Sequence, residues 1–66
     1  MRIGILETGT LADTLATCWT AAGHDVVIGG RSPSKAQALA SRLGRTARAG
    51  SPRQVVPGCD AVLFAV

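Results

Sequence analysis

Two rhythms of apolar positions alternate along the chain. Ile3 to Leu6 form a short apolar run that stops at Glu7, Thr8 and Gly9, which predicts a brief strand closed by a turn. From Thr10 to Ala22 the residues Leu11, Ala12, Leu15, Ala16, Trp19 and Ala22 recur on one helical face. Gly23 then stands where a helix end needs positive φ. Asp25 to Ile28 predicts a second strand, closed by Gly29 and Gly30. Ser32 as N-cap and Pro33 at the first helical position open a second helix, striped by Ala36, Leu39, Ala40 and Leu43 and ended by Gly44. Thr46 to Ala49 reads as a short third strand. Ser51, Pro52 and Gln54 form a capping-box signature for a short helix that Pro57 and Gly58 stop. Ala61 to Val66 is apolar without alternation, the pattern of a strand buried on both faces.

Strands alternating with helices imply right-handed crossovers and a parallel sheet. The expected fold is α/β, a Rossmann-type sheet in its first half only, β-α-β-α-β-α-β with strand order 3-2-1-4. Residues 1–66 make one half-domain, expected to be cut off after its fourth strand. That strand would then present an apolar edge, so the isolated chain is expected to self-associate or to fold only in part. Composition agrees with a buried sheet under small-residue helices: 47% of residues are hydrophobic, but only 3% are aromatic. Val, Leu, Ile and Ala must therefore fill the core, which argues against an all-β sandwich.

The net charge of +3 comes from basic residues spread along the chain without stacking aromatics beside them. This excludes nucleic acid as the expected partner. Cys18 and Cys59 are too few and too far apart for a CxxC pair or a zinc site, and predict buried or free thiols. Glu7 interrupts the apolar stretch behind Arg2 too early for a signal peptide or membrane span. A cytoplasmic protein without membrane contact is expected.

The turn after the first strand carries the candidate chemistry. A dinucleotide pyrophosphate is held by backbone N–H groups at a helix N-terminus, with small residues allowing close approach. The fingerprint G-x-G-x-x-G/A falls here on Glu7, Thr8, Gly9, Thr10, Leu11 and Ala12. Gly9 matches the second glycine and Ala12 the third position, while an acid replaces the first glycine. In the expected geometry the Glu7 side chain points at the pyrophosphate. After the second strand the chain offers Arg31, Ser32 and Lys35, with no acid among them. A ribose 2′-phosphate wants cations there, whereas an unphosphorylated ribose wants an acid. His24, Trp19, Asp13 and Asp60 are read as structural: a strand start, a core ring, a charge complementing the helix dipole and a turn residue.

The run MRIGIL, followed by TGT at Thr8, AGHDVVIG from Ala22, RSP at Arg31 and CDAVLFAV from Cys59, resembles a known family. It is similar to the NADP-binding domain of deazaflavin-coenzyme-dependent NADP oxidoreductases, in the superfamily that includes pyrroline-5-carboxylate reductases. The resemblance covers nearly the whole chain, although members usually carry Gly at the place of Glu7. It implies NADP as cofactor, bound by Thr8, Gly9, Thr10, Leu11, Ala12, Arg31, Ser32 and Lys35, with Ala65 and Val66 closing the site from the fourth strand. It also implies hydride transfer between NADP and a second substrate or deazaflavin coenzyme, with the catalytic part beyond residue 66. No catalytic or metal-binding residue is expected within the chain. Two other readings stay open: a decayed, non-catalytic fragment and a nucleotide-sensing module.

Overall fold

A computed structural model describes residues 1–44 and 46–64. Strand β1 (Arg2–Leu6) leads into helix α1 (Thr10–Ala21), followed by β2 (Asp25–Gly29) and α2 (Pro33–Leu43). Strand β3 (Ala47–Ala49), the short α3 (Pro52–Val55), a single 3-10 turn at Val56–Gly58 and β4 (Ala61–Phe64) complete the chain. The four strands form one parallel sheet in the order β3-β2-β1-β4, as the alternation predicted.

Local chemistry sets each boundary. Gly23, at φ +91°, closes α1 with a Schellman pair: its N–H donates to the Thr20 carbonyl at 3.0 Å, and the His24 N–H to that of Trp19 at 3.0 Å. Ser32 caps α2 by accepting from the Lys35 N–H at 3.4 Å. The predicted capping box of α3 is present in both directions, with the Gln54 N–H donating to Ser51 Oγ at 3.3 Å. The Ser51 N–H donates to Gln54 Oε1 at 2.9 Å. Asp60 does more than turn the chain. Its carboxylate accepts from the Arg2 N–H at 2.8 Å, and its own N–H donates to the Arg2 carbonyl at 2.8 Å, which pins the start of β4 to the start of β1.

The pleat sends Ile3, Ile5, Val26 and Ile28 to one face, in register as Ile3↔Val26 and Ile5↔Ile28. That face is sealed by Ala12 and Ala16 of α1 and by Ala36, Leu39 and Ala40 of α2. The opposite face carries Gly4 and Gly29, and α3 lies on them through buried Val55. A Cβ at Gly4 would stand 2.6 Å from Val55 Cγ1, and one at Gly29 would stand 2.8 Å from Val55 Cγ2. Close approach of α3, not positive φ, therefore requires glycine at both positions.

Several sequence expectations need correction. β4 is a strand through Phe64, but it is not buried on both faces: Val62 is 42% and Phe64 61% exposed. Among the described residues it pairs only with β1, so its outer edge is free and nothing covers its faces fully. Residues 65 and 66 lie outside the described residues. Helix α1 buries only Ala12 and Ala16 of its predicted stripe, with Trp19 packed partly against the core. Leu11 is 49% exposed, because the stripe is wider than the line on which a helix touches a flat sheet. Both thiols are free, with Cys18 on the exposed side of α1.

Candidate functional site

The C-terminal ends of β1 and β2 lie side by side, where an open α/β sheet places its ligands. Gly9 is the N-cap of α1, in extended conformation and without a side-chain cap. The first intrahelical bond runs from the Asp13 N–H to the Gly9 carbonyl at 3.0 Å, so the N–H groups of Thr10, Leu11 and Ala12 have no acceptor within the helix. A Cβ built on Gly9 would meet nothing within 4 Å. An anion can approach this backbone without displacing protein atoms, which fits the group that the fingerprint implies.

Thr8 connects this turn to the next. A Cβ at Gly30 would stand 2.9 Å from Thr8 Cγ2, so the loop after β1 packs on the loop after β2. Arg31 follows at once, 92% exposed along its side chain. It borders a cleft of about 560 Å³ whose walls are Pro33 and Ala36 on one side and Ala49, Gly50, Ser51 and Pro52 on the other. Arg31 thus stands between the α1 turn and an open, largely apolar cleft.

The predicted residues separate into groups. Thr8 to Ala12 and Arg31 meet at the ends of β1 and β2. Ser32 is committed in part, because its hydroxyl caps α2 and lies 3.3 Å from Ser34 Oγ, leaving it one further hydrogen bond. Lys35 is exposed on the first turn of α2 and does not line the cleft. Ala65 and Val66 lie outside the described residues. Sequence reasoning missed the cleft wall from Ala49 to Pro52, since only strand order brings that loop beside Arg31.

Glu7 departs from its expected direction. Its carboxylate Oε2 lies 3.7 Å from Arg31 Nε, and its side chain is 25% exposed. The acid that was absent after β2 is thus supplied from the end of β1. The backbone of Glu7 is held by its N–H donating to the Gly29 carbonyl at 2.7 Å, in a conformation with φ +105°. That is the region where side chains other than glycine are strained.

A second charge near the helix N-terminus is already neutralised. Asp13 pairs with Arg42 from the last turn of α2, which ties α1 to α2. The side-chain hydrogen bond from Arg42 holds the Asp13 carboxyl below the usual aspartate value, with its charge and a bond from Thr17 adding to the effect. Because the folded pKa is depressed, the pair's contribution is present above the ordinary aspartate value and fades as pH falls through the folded one. Thermal melts should therefore show a shallow loss of stability on acidification that Asp13→Asn lacks. Parallel acid profiles for the two proteins would refute the assignment.

Among the described residues no cluster of His, Cys, Asp and Glu could hold a metal ion, and no helix is long and apolar enough to cross a membrane. No curated protein matches the chain significantly. The family model described as NADP oxidoreductase, coenzyme F420-dependent, matches residues 2–66, and with its 3-2-1-4 parallel sheet and glycine-opened first helix the chain belongs to that family.

Proposed function

We propose that the chain binds NADP(H) for an oxidoreductase, with the pyrophosphate over Thr8, Gly9, Thr10, Leu11 and Ala12 and the 2′-phosphate on Arg31. The observation that carries this reading is the placement of the bare Gly9 N-terminus and the Arg31 guanidinium on adjoining turns, joined by Thr8 against Gly30. The adenine end then enters the cleft between Pro33 and Pro52. Arg31 offers a planar fork for a phosphate, Ser32 a hydroxyl, and Lys35 a charge that must swing in from the surface. The nicotinamide would supply the hydride chemistry, while this chain's residues hold the pyrophosphate and the 2′-phosphate. A second substrate, or a deazaflavin coenzyme of the kind the family description names, would exchange that hydride. Two free thiols suit a reducing, cytoplasmic setting.

Arg31→Ala tests the phosphate assignment. Loss of a charge-assisted contact at an exposed site should weaken NADPH about tenfold while leaving NADH little changed. An unchanged ratio of the two affinities, measured by nicotinamide fluorescence, would remove Arg31 from the site. Self-association along the outer edge of β4 belongs to the same proposal, because Val62 and Phe64 stand exposed on a strand that, among the described residues, pairs only with β1. A sedimentation coefficient that rises with concentration is expected, and a constant monomeric value would count against it.

A further inference from the structure

We propose that Glu7 is a specificity-determining residue, an internal counter-ion on Arg31 that competes with the ribose 2′-phosphate and narrows the preference for phosphorylated nucleotide. The inference rests on the NADP(H) reading above. Three observations carry it. The Glu7 carboxylate lies 3.7 Å from Arg31 Nε, so the cation has a partner before any ligand arrives. The two members are unequally held: Glu7 is anchored by its N–H to the Gly29 carbonyl at 2.7 Å, with a side chain 25% exposed, while Arg31 is 92% exposed. Arg31 also lines the cleft, whereas Glu7 does not.

The acid is thus the fixed member and the guanidinium the movable one. A 2′-phosphate entering beside Arg31 must share the guanidinium with the carboxylate or draw it away. Either way, a fixed negative charge stays near a group carrying close to two more. An unphosphorylated ribose meets no such opposition, and its hydroxyl can donate to a carboxylate, as it does where an acid follows the second strand. Glu7 therefore lowers affinity for one class of nucleotide and spares the other. Repulsion of the pyrophosphate would instead weaken both classes alike, since both contain it.

The test measures binding of 2′,5′-ADP and 5′-ADP to the whole chain by calorimetry, in the parent, Glu7→Gln, Arg31→Ala and the double variant. Glutamine keeps the size of the side chain and its backbone conformation while removing the charge, and circular dichroism with a thermal melt verifies the fold. Glu7→Gln should tighten 2′,5′-ADP about tenfold and 5′-ADP by less than about twofold, with the difference shrinking as salt rises. In the Arg31→Ala background the selective gain should vanish. Equal tightening of both nucleotides, or none, in a protein whose 2′,5′-ADP binding depends on Arg31 would overturn the inference and leave the functional reading standing. If Arg31→Ala leaves 2′,5′-ADP binding unchanged in both the parent and Glu7→Gln, the functional reading fails and the inference with it.

Discussion

Glu7→Gly is expected to make the protein both more stable and a tighter binder of NADPH. At φ +105° the parent residue occupies a conformation that costs side chains about 1–3 kcal/mol and that glycine adopts freely. Against this gain stand the greater freedom of glycine in the unfolded chain and the lost ion pair with Arg31, an exposed contact contributing up to about 1 kcal/mol. A net gain near 1 kcal/mol remains, about 4–8 °C in melting temperature for a domain of this size. Removing the carboxylate also frees the Arg31 guanidinium for a 2′-phosphate. NADPH should bind tenfold tighter or more, about 1.4 kcal/mol. Glu7→Ala separates the two effects, because it removes the charge but keeps a Cβ at positive φ. It should share much of the gain in affinity and none of the gain in stability. A melting temperature that rises as much for alanine as for glycine would show that the backbone of the turn is not strained.

Ile28→Ala should remove a large share of the protein's stability. Ile28 is fully buried in β2, with Ile5 beside it on β1 and Ala49 on β3. Deleting a buried aliphatic side chain of this size costs about 2–5 kcal/mol, a transfer loss plus a cavity that close packing cannot fill. A chain of 66 residues has about 3–10 kcal/mol in total at ordinary stability per residue. The loss is thus a large share of the total, and the strand ends that carry the candidate site should unfold at correspondingly lower denaturant. Val62→Ala is the matched control, since Val62 is 42% exposed on β4 and its loss should cost less than about 1 kcal/mol. Chemical denaturation reads both. A midpoint for Ile28→Ala close to that of the parent would place the core elsewhere.

Much of this fold is written in short-range chemistry. Ser32 with Pro33, Ser51 with Gln54, and Gly23 act within one helical turn of themselves, so their caps could be read residue by residue. Strand order followed from the alternation of elements, because right-handed crossovers leave few ways to lay such a chain into a parallel sheet. The bare glycine at the start of α1 and the cation after β2 were legible for the same reason, each being a local feature of a turn. The burial of β4 was misjudged because an apolar run records what a strand can bury, whereas position in the sheet decides what it does bury.

Short-range signals thus settle the elements, their caps, their order in the sheet and the residues at the ends of β1 and β2. Contacts between loops distant along the chain arise only once the sheet has assembled. Val55 seats α3 on Gly4 and Gly29, the loop from Ala49 to Pro52 forms a wall opposite Pro33, and the Glu7 carboxylate turns toward Arg31. The physical reason is that hydrogen-bonded turns and apolar periodicity act over a few residues, while side-chain direction at a turn depends on its φ and on which neighbouring strand supplies the nearest charge. At Glu7 both were set by the pairing of β1 with β2, which no window of sequence contains.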